Sequence, residues 1–378
     1  MNGHNIRTAL VRRAPATLVI SALATTLAAC SFFNGKETDG NAAPLKKGND
    51  IAVGLLLPDE ESSRYRKFDY PIIKRQVATL TENRGRVVYA NARQDAAKQS
   101  TQLEQMIADK VDVIIVDPVD AEAIAPSIAK ARKTGIPVIA YDRLAQGPVN
   151  AYVSFDSELI GEVQARTLIA ALGSRAATSK VVMINGSVTD PNTALFKQGA
   201  LSELKHGVVL AKTYDTEGWK PEKAKANMEK AIRALGAANI AGVYSANDGM
   251  AGAVIQAFKD AGVSKVPPVT GQDAELAAVQ RIVAGEQYMT VYKPYAEEAS
   301  AAAQVAVTLV QGRAIAFDAL TRDRVDSPTA KGIPAHLVTV VAVTKDNIKD
   351  TVVRGGLYSI KDICTATYES DCSAIGMK

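Results

Sequence analysis

The sequence predicts an α/β fold of two doubly wound parallel-sheet lobes. Three observations carry that reading. Short apolar runs alternate with longer amphipathic stretches from residue 51 to residue 311, the pattern of strands and helices in a parallel sheet. The first run, 51–57, is apolar almost throughout, as suits a strand covered on both faces by helices. The alternation also divides into two similar halves, 49–155 and 156–293, with no shorter period inside them.

Taken in order, a strand is expected at 51–57, a helix at 62–83, a strand at 86–90, a helix at 97–109 and a strand at 111–116. A helix at 121–134 follows, closed by Gly135, and then a strand at 136–140. The second half has helices at 158–172, 192–205, 221–235, 248–261 and 274–284. Strands at 180–185, 208–213, 242–245, 268–271 and 288–292 separate them. A helix at 295–311 comes next. Beyond Gly312 the pattern is irregular, with one strand at 337–343 that could return to either lobe.

At roughly 150 residues per domain, 378 residues allow two or three domains. An apolar fraction of 47% with 22% charged residues excludes a disordered chain, a collagen and a multi-span membrane protein. The net charge of +4 is concentrated at the front: residues 1–29 hold Arg7, Arg12 and Arg13 and no acid, so the remainder has 41 basic against 40 acidic residues, or +1. A body so near neutrality has no electrostatic footprint for nucleic acid.

Those 29 residues have the order of a secretory signal, with arginines before an apolar run from residue 14 to residue 29. The run is too short to span a bilayer comfortably. It ends in Leu27-Ala28-Ala29-Cys30, which resembles the bacterial lipobox, where cleavage precedes a cysteine that then carries lipid. Residues 30–48 are polar with Gly, Pro and Asn and suit a flexible tether. The expectation is an exported protein, lipid-anchored through Cys30 at the outer side of the cell membrane; the alternative is a plain secreted protein in which Cys30 is incidental. Two further cysteines, Cys364 and Cys372, lie in the tail. In an oxidising compartment they can pair, for roughly 2–3 kcal/mol, or remain free thiols. No metal site is expected, because the mature chain has only His206 and His336 and no Cys-x-x-Cys.

Ligands of open parallel sheets bind beyond the carboxyl ends of the strands. There the sequence has Ser62 to Tyr65, then Tyr141-Asp142-Arg143, Asp190-Pro191-Asn192, Trp219, Asn247-Asp248, Gln272-Asp273 and Lys293-Pro294. Carboxylates, amides and guanidinium forks bond vicinal hydroxyls, and flat rings stack on C–H faces. Both match a sugar. Trp219 is the single Trp of the chain.

These stretches, with Ser154-Phe155-Asp156, Ala246-Asn247-Asp248, Met289 to Pro294 and Asp346 to Val352, resemble the periplasmic-type sugar-binding proteins of the ribose/xylose cluster, the xylose-binding proteins of ABC importers above all. The resemblance covers about 50–358. It implies the type I periplasmic binding protein fold, whose lobes are joined by a three-segment hinge. The first lobe would comprise 49–155 with 294–327, the second 156–293 with 328–355, leaving a tail at 356–378. It implies that Arg64, Asp142, Arg143, Asn192, Asn247, Asp273 and Lys293 bond the sugar while Tyr65 and Trp219 sandwich its ring. The partners implied are a monosaccharide, D-xylose or a related aldopyranose, and an ABC permease with its ATPase. No cofactor is implied, and the protein is expected to be a monomer. Xylose binders carry Trp where this chain has Tyr65, a change that bears on the choice among pentoses and hexoses.

Each assignment has a plainer competitor. Asp142-Arg143 could be a surface ion pair, Trp219 ordinary packing and Lys293 a solvated lysine. Asn247, Asp248 and Asp273 are all good helix caps; capping suits Asp248 best and ligand contact suits Asn247. No catalytic arrangement is present: there is no GxxxxGK, no GxGxxG after the first strand, and no His at a strand end. Two other classes share the fold. A lactose-repressor-like regulator would need a helix-turn-helix ahead of residue 50. A receptor module signalling a sugar or autoinducer would differ only in its partners.

Overall fold

The computed structural model describes residues 46–60, 62 and 64–377. The expected signal 1–29, Cys30 and the tether as far as residue 45 lie outside the described residues. The tether ends earlier than residue 48, because the Lys47 amide already donates to the Val310 carbonyl at 3.1 Å.

The first lobe starts with β1 (Ala52–Leu57), α1 (Tyr70–Leu80), β2 (Arg86–Asn91), α2 (Ala96–Ala108), β3 (Val113–Val116), α3 (Ala125–Lys133), β4 (Val138–Tyr141) and β5 (Ala151–Phe155). These strands are parallel and lie in the order β2-β1-β3-β4-β5. Val53, Leu55 and Leu57 face one helical layer and Ala52 and Leu56 the other, so β1 is buried on both sides. A wide helical turn, Tyr65–Asp69, precedes α1, and it brings Arg64 and Tyr65 to the carboxyl edge of the sheet.

The second lobe holds α4 (Ser157–Leu172), β6 (Lys180–Ile184), α5 (Pro191–Gly207), β7 (Val209–Tyr214), α6 (Pro221–Leu235), β8 (Gly242–Ser245), α7 (Asp248–Asp260), α8 (Leu276–Val283) and β9 (Met289–Tyr292). Its parallel core has the order β7-β6-β8. The expected strand 268–271 is reduced to a single bridge from Val269 to Val243.

The chain then returns to the first lobe. α9 (Tyr295–Val310) buries Ala299, Ala302, Val305 and Ala306 against Ile73, Ile115 and Val153. After α10 (Ala314–Leu320) comes β10 (Asp323–Val325), an antiparallel edge to β11 (Ile333–Val338), and β11 pairs parallel with β5. β12 (Val341–Thr344) instead pairs antiparallel with β9 in the second lobe.

Two expectations are corrected here. The run 337–343 is not one strand; it breaks at Thr339-Val340, and its halves belong to different lobes. The third crossing therefore falls at 339–340 and not at 327–328. The reason is the alternation in 333–338: Ile333 and Ala335 are buried only if that stretch extends the large sheet beyond β5, whereas Val343 is buried in the second lobe's cluster with Val279 and Ile348. Phe155, Tyr295 and Val338, one beside each crossing, pack together with Phe196 and Val291.

The tail forms α11 (Ile360–Ile363) and α12 (Glu369–Ala374), and Cys364 and Cys372 are joined as a disulfide with their Cα atoms 5.8 Å apart. Cys372 and Ile363 pack on Val279 and Val283 of α8, so the tail completes the second lobe.

α4 and α5 approach until their backbones touch. A Cβ on Gly161 would collide with the Phe196 carbonyl, and one on Gly199 with the Glu158 carbonyl. This contact fixes the start of α5 beside the first crossing. Gly199→Ala is expected to destabilise the protein by about 1–3 kcal/mol. Urea unfolding would show it as an earlier midpoint; an unchanged midpoint would mean that the two helices separate freely.

Candidate ligand-binding site

In each lobe the strand order reverses at one place, between β1 and β3 and between β6 and β8. Such switch points open a crevice at the carboxyl edge, and here the two crevices face each other. Between them lies a cavity of about 70 Å³. Arg64, Tyr65, Asp142 and Arg143 line it from the first lobe. Asn192, Trp219, Asn247 and Asp273 line it from the second, and Lys293 from a crossing. All nine residues expected from the sequence to contact a ligand therefore line one cavity.

The first-lobe side is built on a buried charge network. Arg64 is only 5% exposed. Its Nε and Nη2 donate to the two oxygens of Asp69 at 3.1 and 2.8 Å, Nη2 also reaches Glu298 Oε2 at 2.6 Å, and Nη1 donates to Asp142. The guanidinium lies 4.3 Å from the Tyr295 ring centroid. Arg64 is thereby held in one orientation by three carboxylates. Asp142 has φ of 55°, an uncommon left-handed conformation. Its carbonyl holds that turn by accepting from Tyr152 Oη at 2.7 Å and Ser154 Oγ at 2.6 Å. Burial alone would raise the Asp142 pKa, but Arg64, Lys293 and Arg143 together hold the carboxyl below its usual range.

The lobes are joined across the cavity. Asn192 Nδ2 donates to the Asp142 carbonyl at 2.9 Å, and Arg143 Nε lies 2.8 Å from Asp190 Oδ2. Asp190 also caps α5 by accepting from the Asn192 amide at 2.9 Å and receives the Trp219 indole N–H at 3.1 Å. The indole lies flush on Gly186, where any Cβ would strike the ring, and meets Phe196 edge-on at 6.3 Å. Lys293 Nζ is 2.9 Å from Asp273 Oδ1.

The capping roles differ from those expected. Asn247, not Asp248, caps α7, its Oδ1 accepting from the Met250 amide at 2.9 Å. The amide NH₂ of Asn247 makes no part of that cap. Asp248 is wholly buried and accepts from Thr290, Gln287 and the Glu275 amide, tying α7 to β9. Asp273 caps nothing, because α8 starts at Leu276.

Several residues beside the cavity were not singled out in the sequence. Asp117 directly follows β3, is 0% exposed, and neither carboxylate oxygen has a hydrogen-bond partner. Burial pushes its carboxyl well above the usual range, with Arg143 opposing at 3.6 Å. Gln272, named with Asp273 at its strand end but given no ligand role, lines the cavity with its Oε1 unpartnered. The strand-end rule that found Asp142 applies equally to Asp117. Glu298 carried no such signal, since it lies on the amphipathic face of a helix far along the chain.

Glu275, beside Asp273, is half-buried, and burial with the neighbouring Asp273 raises its carboxyl from 4.5 to about 7. The folded protein thus favours the protonated acid. That contribution is complete below pH 4.5 and lost as pH rises through 7. Stability should fall between pH 5 and pH 8 by up to about 3 kcal/mol from this group, and Glu275→Gln should flatten that part of the curve. Urea melts of both proteins across this range provide the check, and parallel profiles would refute it.

The periplasmic binding protein domain matches residues 53–314. A D-xylose-binding periplasmic protein of Haemophilus influenzae is 34% identical over 320 residues, covering 83% of this chain and 92% of that protein. Its counterpart in Escherichia coli is 33% identical over 320 residues, covering 83% and 93%. Among solved structures, an ABC transporter solute-binding protein of Clostridium phytofermentans with bound β-D-glucose superposes with a TM-score of 0.73 at 25% identity, over 82% of this chain and 99% of that one. With both lobes wound in the type I order and their strand ends meeting at one polar cavity, the chain belongs to the periplasmic binding proteins, as a sugar-binding protein of ABC importers in the ribose/xylose group and not an enzyme.

Proposed function

We propose that this protein captures a single monosaccharide, D-xylose or a related aldopyranose, and delivers it to a membrane permease whose ATPase drives uptake. Lipid on Cys30 would hold it, as a monomer, at the outer face of the membrane. The observation that supports this reading best is that fork-shaped and amide groups from both lobes line one cavity, while the relatives named above are xylose binders.

In this reading the first lobe comprises 49–155 with 294–338, and the second 156–293 with 341–355 and the tail. Sugar bridges the two, binds the closed form better and so shifts the population toward it. Arg64 and Asp142 present a fixed donor and acceptor to vicinal hydroxyls. Arg143, Asn192, Asn247, Asp273 and Lys293 complete the ring of polar contacts, and Tyr65 and Trp219 take the two faces of the sugar. The unpartnered Oε1 of Gln272 on the cavity wall makes the site intolerant of a misplaced hydroxyl, because a buried polar group without a partner costs about 1–3 kcal/mol. Tyr65 leaves more room than a Trp would, which bears on whether a hexose is admitted.

A melting-temperature screen against pentoses and hexoses tests the ligand, since a sugar that binds only the folded protein raises the midpoint. A shift with xylose alone supports the xylose reading, and a shift with glucose instead moves the specificity to Tyr65 and its neighbours. Trp219→Ala should keep the fold and lose about 2–3 kcal/mol of binding, roughly 30- to 150-fold in Kd. A calorimetric titration indistinguishable from wild type would show that the sugar lies elsewhere.

A further inference from the structure

We infer that Tyr295 is a positioning residue of the sugar site, one that acts through Asp273 and sets where its carboxylate is presented. This rests on the sugar-binding reading above. Asp273 and Ala274 follow one another with φ of 96° and 46°. Both values lie in the left-handed region that residues with a side chain avoid, and such a pair persists only where its surroundings hold it. Three hydrogen bonds do so here. The Asp273 amide donates to the Val291 carbonyl at 2.9 Å and the Ala274 amide to Thr290 Oγ1 at 3.1 Å, both acceptors lying on β9. The third bond comes from the other lobe: Tyr295 Oη donates to the Asp273 carbonyl at 2.8 Å. Thr290 and Tyr295 thus grip the two ends of one peptide unit, that between Asp273 and Ala274. Without the hydroxyl this unit is free to turn over. Turning returns Ala274 to negative φ and tilts the Cα–Cβ bond of Asp273, which shifts its carboxylate from its place 2.9 Å from Lys293 Nζ.

The surroundings of Tyr295 suit it to this role. It opens α9 just after the Lys293 crossing, is 3% exposed and does not line the cavity. Its ring stacks on Phe68 with centroids 5.8 Å apart and meets Phe155 edge-on at 6.4 Å, so the direction of its hydroxyl is fixed. Burial pushes that hydroxyl well above its usual range, which keeps it protonated and a donor. The same ring lies 4.3 Å from the Arg64 guanidinium. One rigid side chain therefore sets the spacing between Arg64 of the first lobe and Asp273 of the second. A rotation displaces atoms in proportion to their distance from its axis. A link beside the crossings is thus disturbed less by lobe motion than one farther out.

The test is Tyr295→Phe, which keeps the ring and its contacts and removes only the hydroxyl. Calorimetric titrations with D-xylose, D-glucose and D-galactose are compared between variant and wild type, together with a sugar-free crystal structure of the variant. Whichever sugar the wild type binds is expected to bind the variant about tenfold more weakly. The crystal should show the Asp273–Ala274 peptide turned and the Asp273 carboxylate displaced, with Arg64 in place. An affinity within about twofold of wild type would overturn the assignment and leave the sugar-binding reading intact. Weaker binding with the Asp273 carboxylate unmoved would also overturn it, because Tyr295 would then not act through Asp273. If none of the three sugars binds the wild type, the reading beneath it falls as well.

Discussion

One guanidinium holds the site together. Arg64 contacts Asp69 at the start of α1, Asp142 after β4 and Glu298 on α9, three segments far apart in the chain. All four groups are buried, and a buried charge is tolerated only when paired and hydrogen-bonded. Removing Arg64 would strand three acids in a dry interior. Burial already pushes Glu298 well above the usual carboxylate range against the pull of Arg64. The network also sets the hinge, because Glu298 is one turn into α9, just past the Lys293 crossing. The groups facing the ligand are therefore aligned with the element about which the lobes turn.

Most of the architecture was legible in the sequence because parallel strands are apolar throughout and their helices have one apolar face. What escaped has specific causes. β5 follows β4 through a loop with no helix between, so the alternation gave no cue for it. The 337–343 run is continuously apolar because one half ends in one sheet and the other begins in the next, and a hydrophobic pattern records burial but not the partner. The strand-end rule gathered the site residues onto one cavity, yet it was not applied after β3, where Asp117 sits. Asn247 and Asp248 are adjacent residues with equal capping ability. Only the three-dimensional position of Thr290 and Gln287 decides that Asp248 is drawn into the core and Asn247 caps.

The cavity is polar but not loose. Its polar side chains are held by ion pairs and amide bridges to one another. Preorganisation of this kind lowers the entropic cost of association. A buried oxygen without a partner, such as Gln272 Oε1, discriminates more sharply than apolar contacts can.

The discontinuous composition of the lobes constrains how the protein is made. The large sheet stays unfinished until α9 and β11 arrive, and the smaller lobe until β12 and the tail with its disulfide arrive. A nascent chain lacking its last segments has no complete core in either half. Contacts of such long sequence separation also form slowly. The same threading that creates the hinge thus keeps the polypeptide unfolded for longer, the condition in which a chain is able to be drawn through a narrow export channel before it folds on the far side.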